Sequence, residues 1–266
     1  MTELVAYLSG VGVLGPGLAD WPGAEAILAG REPYVRADTV LPPPDVLAPT
    51  ERRRAGRVVR LALAVGLEAV RRAASSAAQL PVVFASSGGD GDNCDAICQT
   101  LASPNRALSP TRFHNSVHNA PAGYWSIAAG ARVATTTVCC YDASFAAGLL
   151  EALAQCATTG AETALVAYDL DYPPPLRAAR PTPAPFGVAL VLRPAADGGA
   201  FARLRAQLVA GTPDLPAHAG LAALALSNPA ARSLVLLEAL ARGRPAAVNL
   251  QYLEPATLRV EVDPCR

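Results

Sequence analysis

The sequence predicts a layered α/β fold in which helices cover both faces of a sheet. Short apolar runs of strand length alternate along the chain with segments that repeat apolar residues at helical spacing. Most of these runs are continuously apolar, which indicates strands buried on both faces. With 266 residues, 52% of them hydrophobic and only 5% aromatic, the chain can build a large core mainly from Ala, Val and Leu.

The first third of the chain predicts a strand and two helices separated by a proline-rich loop. Residues 4–11 form an apolar run that suits a buried strand. Residues 21–29 predict a helix, because Gly30 follows as a stop signal. Residues 38–49 contain four prolines and predict a loop. Residues 50–70 keep apolar positions at helical spacing behind a threonine that can cap them.

The rest of the chain alternates strands and helices in the same way. Residues 86–89 (Ser-Ser-Gly-Gly) predict a turn, and Asn119 can cap the helix that follows it. Residues 202–209 alternate apolar and polar side chains, which favours a half-exposed strand, and residues 211–216 are typical of a linker. The predicted strands are 81–85, 133–140, 163–168, 186–192, 202–209 and 258–262, and the predicted helices are 93–101, 120–129, 143–156 and 230–241.

Charge and apolar pattern exclude several classes of function. Acidic and basic residues number 22 each, so the chain has no net charge for binding a nucleic acid. No apolar run approaches the ~20 residues of a membrane span, and the first residues do not resemble a cleavable leader. The six cysteines show no disulfide framework, so we expect a cytoplasmic protein with reduced thiols.

One basic stretch lies on the predicted helix 50–70. It is typical of a solvated helix face, and the alternative is a docking patch for an acidic carrier protein. Its members are Arg52, Arg53, Arg54, Arg57 and Arg60.

Residues 10–15 match the Gly-x-Gly-x-x-Gly pattern of dinucleotide-binding turns directly after a strand. In that motif a helix starts at the second glycine and presents its free N–H groups to the pyrophosphate. Here Pro16 and Gly17 fall where the helix would have to continue. The pattern therefore predicts a glycine-rich turn, and we expect no bound cofactor.

Two clusters could suggest a metal site, but neither predicts one. Asp90, Asp92, Asn93 and Asp95 crowd one turn without the spacing of a calcium-binding loop, so they are typical of loop solvation and helix capping. Cys94 and Cys98 share a helix face without two further ligands. We expect them to be buried small side chains.

His114 and His118 lie shortly before a predicted helix start and could form a site; the alternative is a hydrogen-bonded loop that fixes the start of the helix. A hydrolase triad of Ser144, His118 and Asp142 is conceivable, although Ser144 lacks the Gly-x-Ser-x-Gly setting of such nucleophiles.

Four segments in order resemble the ketosynthase branch of the thiolase-like fold. Residues 5–16 look like its opening strand and glycine turn, and residues 21–30 resemble its first helix. Residues 119–127 are similar to its Asn-x-x-Ala-Gly-x-x-Ser-Ile helix, and residues 186–192 to its Gly-Ala-Ala-x-x-x-Leu strand. The resemblance covers about residues 3–210 and implies a layered fold with helices on both faces of mixed sheets.

A closer resemblance is to the short chain-length-factor-like subunits of aryl polyene and xanthomonadin-type pathways. It depends on His-Asn-Ser-Val-His-Asn at 114–119 and Tyr-Asp-Ala-Ser-Phe-Ala-Ala-Gly at 141–148. It implies a complete first half in residues 1–210 and a strongly shortened second half in residues 211–266.

The strand-to-helix segment 136–152 resembles the turn that carries the ketosynthase nucleophile. With the helix aligned through Ala143 and Ser144, the position of the nucleophilic Cys falls on Asp142. A carboxylate cannot replace a thiolate in acyl transfer. The alternative nucleophile is Cys140, which lies two residues earlier and further from the helix start that would lower its pKa.

The family's two catalytic histidines, in the second half of a complete ketosynthase, also lack counterparts here. The only histidine beyond the midpoint is His218, whose surroundings match neither motif. The resemblance therefore implies a catalytically silent subunit that pairs with an active β-ketoacyl synthase, shapes its acyl tunnel and serves carrier-bound chains. The alternative is a free-standing acyltransferase that uses Cys140.

The resemblance further implies that subunits pair through the strand near residues 132–140. Aromatic side chains are the candidates for lining the tunnel or the subunit contact, and the alternative for them is ordinary core. These candidates are Tyr124, Trp125, Tyr141 and Phe145, together with His114 and His118.

Overall fold

The computed structural model describes residues 3–196 and 199–265, whose strands form one mixed sheet. Its order is β3-β2-β4-β5-β1-β6-β8-β7, and β2 pairs in parallel with β3 and β4 while the other pairs are antiparallel. The strands are β1 (Leu4–Leu14), β2 (Val82–Ala85), β3 (Thr135–Val138), β4 (Thr163–Asp169), β5 (Phe186–Arg193), β6 (Ala202–Ala210), β7 (Ala246–Gln251) and β8 (Ala256–Pro264).

Helices cover both faces of this sheet, as the sequence predicts. In the described residues they are α1 (Trp21–Leu28), α2 (Pro49–Arg54), α3 (Arg57–Ala73), α4 (Gly91–Ala102), α5 (Pro110–His114), α6 (Ala120–Ala129), α7 (Ser144–Thr159), α8 (Pro174–Ala179), α9 (Ala219–Ser227) and α10 (Leu234–Ala241). Short 3₁₀ turns at Tyr141–Ala143 and Ala230–Ser233 precede α7 and α10. None of the helices described is long and apolar enough to cross a bilayer.

The core has two layers because β-strand side chains alternate between faces. On β2, Val83 and Ala85 face the layer that contains α7, whereas Val82 and Phe84 face the layer that contains α3. The strands read as continuous apolar runs because each face meets a helix. Because β2 runs parallel to β3 and β4, the carboxyl ends of these three strands lie at the same end of the sheet.

The predicted helix 50–70 is wrong in detail, because the chain forms two helices. Pro49 starts α2, and Ala55 leaves helical geometry with ψ 110°. Gly56, also extended at ψ 176°, then leads into α3.

The glycines of residues 10–15 were expected in a turn, but Gly10 and Gly12 lie inside β1. A Cβ at Gly12 would stand 2.1 Å from the carbonyl oxygen of Val65, and one at Gly10 would stand 2.2 Å from that of Ala69. The glycines therefore allow α3 to lie directly on β1. An extended strand in place of a helix start gives no phosphate cradle.

Residues after 210 continue the same layers. β8 pairs with β6, β7 pairs with β8, and α10 packs between α1 and this part of the sheet. The predicted helix 230–241 is a 3₁₀ turn followed by α10. Neither α9 nor β7 was predicted.

Candidate functional site

The candidate site lies where the three parallel strands end. Cys139 and Cys140 follow β3, Ser86 and Ser87 follow β2, and Asp169 is the last residue of β4. In open α/β sheets, ligands and catalytic groups concentrate at this end of the strands. The loops that meet here therefore contain the residues that decide what this chain can do.

The strand-to-helix turn is closed by its own hydrogen bonds. The Ser144 hydroxyl accepts from the Cys140 backbone N–H at 3.0 Å and donates to the Tyr141 carbonyl at 2.7 Å. Tyr141 has a left-handed backbone, with φ 51°, which is uncommon for a residue with a side chain. Ser144 is buried and engaged in these bonds, and it forms no bond to a histidine in the described chain. A hydrolase triad through Ser144 is therefore not supported.

Asp142 binds two arginines from distant parts of the chain. Its Oδ1 lies 2.5 Å from an Nη of Arg180, just after α8, and its Oδ2 lies 3.0 Å from an Nη of Arg232, in the 3₁₀ turn before α10. The Arg180 guanidinium also stacks 3.7 Å over the Tyr141 ring. We call Tyr141, Asp142, Arg180 and Arg232 the Asp142 cluster.

The pKa shifts of the two arginines reflect their burial and their contact with Asp142. Burial lowers the pKa of Arg180, but the hydrogen bond and charge of Asp142 outweigh burial and raise it overall. Burial also lowers the pKa of Arg232, and the neighbouring Arg180 adds to this effect while Asp142 opposes it. The carboxylate is thus the counter-ion of two guanidinium groups. Both of its oxygens are therefore engaged by arginines.

Cys140 lies in an environment that disfavours the thiolate. Burial raises the pKa of its thiol, and the adjacent Cys139 raises it further. An activated cysteine needs the opposite shift, from a histidine, a cation or a helix N-terminus. No histidine of the described chain is hydrogen-bonded to Cys140.

Asp169 is a site residue that sequence reasoning missed. Its buried carboxylate accepts hydrogen bonds from the Ser87 N–H at 2.8 Å, both the Ser86 and Ser87 hydroxyls, and the Ala230 N–H at 3.0 Å. Burial raises its pKa to about 6, although these hydrogen bonds lower it. Through these hydrogen bonds, Asp169 connects the ends of β2 and β4 with the 3₁₀ turn before α10. The available signal was an acidic residue at the end of an apolar strand.

The two candidate histidines do not bind the cluster. His114 is exposed, and its ring meets the Tyr124 ring edge-on at 6.4 Å between centroids. His118 lies against Gly89, and its buried Nε2 has no hydrogen-bond partner among the described residues. Neither residue forms a hydrogen bond to Asp142 in this part of the chain.

The candidate aromatic residues fall into two groups. Tyr124, Trp125 and Phe145 are core residues in the single chain, each at most 2% exposed. Tyr141 is 63% exposed. The prediction that these residues line a subunit contact is not tested by one chain, and Tyr141 is the member whose side chain is free to make such a contact.

The acidic cluster lies at the start of α4, where Asp90 is the N-cap and Asp92 and Asp95 are within the helix. Asp90 caps α4 by accepting from the Asn93 N–H, and Arg57 binds Asp92 at 2.9 Å and Asp171 at 2.5 Å. The described residues contain no group of three or more potential metal ligands.

The prediction that Cys94 and Cys98 are buried is wrong, because both are exposed. The helix α4 lies at the periphery and buries only Gly91 and Asn93.

The basic stretch is also largely paired. Arg52 binds Asp45, Arg54 binds Glu51, and Arg60 donates to the carbonyls of Leu41 and Pro42. Arg57 is held by two aspartates, whereas Arg53 and Arg60 form no ion pair in the described chain. This pairing weakens the case for a carrier-docking patch.

Clefts of about 460 to 530 Å³ lie elsewhere in the described part of the chain, and neither Cys140 nor Asp142 lines these clefts. At the site itself, Tyr172 fills the space over the end of β2. A Cβ at Gly88 would stand 1.8 Å from the Tyr172 hydroxyl oxygen.

Comparisons with known proteins place the fold. The sequence profile of the β-ketoacyl synthase N-terminal domain matches residues 29–247. A comparison with curated proteins finds no match. Three solved structures share the fold over nearly all of this chain.

A chain from the complex of the ketosynthase ApeO with its chain length factor ApeC from Xenorhabdus doucetiae is 23% identical, with TM-score 0.73, covering 97% of this chain and 99% of that one. A chain of the ishigamide ketosynthase/chain length factor is 16% identical, with TM-score 0.74, covering 98% and 100%. A chain of the AntDE:AntF complex, an acyl-carrier protein bound to its type II polyketide ketosynthase, is 11% identical, with TM-score 0.75, covering 99% and 100%.

The mixed sheet with helices on both faces is therefore the thiolase-like ketosynthase fold. Because the profile covers most of the sequence, the chain belongs to the β-ketoacyl synthase family, through its N-terminal domain.

Proposed function

We propose that this chain is a non-catalytic ketosynthase-like subunit, of the chain-length-factor type, that pairs with an active β-ketoacyl synthase. The observation that carries the proposal is the state of Asp142. The family resemblance puts the nucleophile there, and the carboxylate binds Arg180 and Arg232 instead of presenting a reactive atom. A decarboxylative condensation needs a thiolate and donors that stabilise the enolate.

The histidines give further support. His218 caps α9 by accepting from the Gly220 N–H at 3.1 Å, and its ring meets that of Tyr34 at 5.3 Å between centroids. This histidine therefore has a structural role. His114 and His118, the other two in the sequence, form no hydrogen bond to Cys140 or Asp142 in the described chain.

The surface beside β3 supports pairing with another subunit. β3 is an edge strand that contacts α6, on which Ile127 exposes more than half of its surface. Phe113 and Val117, in and after α5, are also more than half exposed. These side chains border a cleft of about 530 Å³ that also contains His114 and Tyr124. An open strand edge next to exposed apolar side chains favours a macromolecular contact.

The relatives suggest the partners. Two of the matched structures contain a ketosynthase with its chain length factor, and a third contains an acyl-carrier protein. By this analogy we infer an active ketosynthase as the first partner and a carrier protein delivering polyene or fatty acyl chains as the second, in the cytoplasm. We also infer that residues 1–210 correspond to the first ketosynthase half and residues 211–266 to a short second half.

Co-expression with the ketosynthase subunits of the same organism tests this proposal. We expect one of them to form a stable one-to-one complex by size exclusion with mass detection, and to elongate carrier-bound chains only within that complex. A chain that remains unpaired with every ketosynthase, or that elongates chains alone through Cys140, would overturn the proposal.

A further inference from the structure

Tyr141 combines three properties that rarely occur together. Its side chain is 63% exposed, its backbone is left-handed at φ 51°, and one face of its ring is covered by the Arg180 guanidinium at 3.7 Å. A bulky residue in this backbone conformation costs free energy, so surrounding contacts must hold it there. The result is an exposed aromatic ring with little freedom to move.

The contacts that hold Tyr141 depend on its neighbour in the chain. Arg180 is only 20% exposed in its side chain, and its partner in the ion pair is Asp142. Asp142 also binds Arg232, whose side chain is 16% exposed. One carboxylate thus fixes the arginine that stacks on Tyr141 and attaches the turn before α10 to the same point.

We propose that Asp142 is a positioning residue that, through Arg180, holds Tyr141 as a rigid aromatic contact for the partner ketosynthase. This inference rests on the proposed function, and it gives the degenerate nucleophile position a role of its own. Rigid exposed aromatic side chains lose little conformational entropy on binding, and they are often the residues that contribute most to an interface.

The placement of the ring favours a subunit contact over a small ligand. Tyr141 begins the 3₁₀ turn that follows β3, whose outer edge is open. The exposed ring therefore lies just beyond the end of the strand whose free edge we infer to meet the partner. Buried aromatic side chains of the same site, such as Phe145, cannot reach a partner without unfolding.

Two substitutions separate the contact from the fold. Tyr141→Gly removes the ring at a position whose backbone glycine adopts without strain, so the melting temperature should not fall. Ala74→Gly is the matched control, because Ala74 has φ 52° at the end of α3, away from this turn. We expect Tyr141→Gly to weaken binding of the ketosynthase about tenfold or more and Ala74→Gly to leave it unchanged.

A second pair of variants tests the role of the arginine. Arg180→Lys keeps the charge that Asp142 binds but loses the planar group that stacks on Tyr141, so ketosynthase binding should weaken about threefold or more. Arg177→Lys, on neighbouring α8 and paired with Asp171, should have no effect. Asp142→Asn should also weaken binding, and this effect should disappear in a Tyr141→Gly background.

The outcomes distinguish the two proposals. If the wild-type chain binds no ketosynthase, both are overturned. If it binds and Tyr141→Gly binds equally well, only the positioning role is overturned. Additive effects of Asp142→Asn and Tyr141→Gly would also contradict it, because Asp142 would then act independently of the ring.

Discussion

The two edges of the sheet differ in whether their outward backbone groups are hydrogen-bonded. At the β7 edge, the loop between β6 and α9 covers the strand, since the Asp214 N–H donates to the Asn249 carbonyl at 2.9 Å and the Asp214 carboxylate accepts from the Asn249 N–H at 2.7 Å. At the β3 edge, no described segment pairs with the outer side of the strand. Because open edges promote unwanted pairing, proteins usually cover them. Leaving β3 open is therefore consistent with an edge reserved for a partner.

An aspartate lies near each edge, and the two aspartates bind different kinds of group. Asp214 binds the backbone of the edge strand itself and completes it. Asp142 lies beyond the end of β3 and binds side chains, so it fixes the turn while the strand stays free. The turn after β3 is therefore held by ion pairs, while the outer side of β3 has no partner in the described chain.

The largest expected effect comes from blocking the open edge. The carbonyls of Ala134 and Val138 face β2, so the backbone of Thr137 faces outward by strand alternation. Thr137→Pro removes that outward N–H and should weaken the ketosynthase complex by about a hundredfold or more, measured by titration calorimetry.

Thr137→Val keeps the N–H and is the control, with binding expected near that of the wild type. If Thr137→Pro folds normally and still binds the ketosynthase, then β3 is not the pairing edge.

The next effect tests whether Asp142 stabilises the open end. Asp142→Ala leaves Arg180 and Arg232 partly buried without a counter-ion, and the free energy of unfolding should fall by about 3 kcal/mol. Urea unfolding followed by circular dichroism measures this change.

Asp45→Ala removes an exposed ion pair with Arg52 and should cost no more than about 0.5 kcal/mol. Equal losses in the two variants would show that the Asp142 cluster contributes no more than a surface pair.

A pH dependence should arise from Asp169, beside the open end. Because its pKa is raised to about 6 in the folded chain, the folded state binds the proton more tightly than the unfolded state. The contribution of Asp169 to stability should therefore be largest below about pH 4, fall by about 2 to 3 kcal/mol as the pH rises to about 6, and stay level above that.

Urea unfolding across this range, compared with Asp169→Asn, isolates the effect. The variant is expected to be less stable overall but to lack this slope. A wild-type slope that survives in Asp169→Asn belongs to other groups.

The smallest effect is expected at the covered edge. Asp214→Ala removes the bond to the Asn249 N–H and should cost about 1 kcal/mol in unfolding free energy, because the side chain is exposed and water can replace it. Self-association measured by light scattering should rise slightly as the edge opens. An unchanged stability would mean that the loop backbone alone covers β7.

The sequence predicted what depends on local pattern. Apolar runs located most strands within a few residues. Asn119 does precede α6, but the predicted cap is wrong, because its side chain makes no capping hydrogen bond. β7 was missed because its pairing with β8 decides it more than its short apolar content does. The glycines of β1 were misassigned because their reason is the close approach of α3, a contact between segments far apart in the chain.

In the candidate site, too, only what depends on local sequence could be predicted. Asp142 could be singled out from the sequence by its alignment with a nucleophile. Its partners could not, because Arg180 and Arg232 lie 38 and 90 residues away. Asp169 was missed for the same reason, since its hydrogen bonds come from two other loops.

The most direct test of catalytic silence is intact-protein mass spectrometry of the ketosynthase complex after incubation with an acyl-carrier thioester. We predict an acyl adduct on the ketosynthase subunit and none on this chain. An adduct on this chain that disappears in Cys140→Ala would contradict the account.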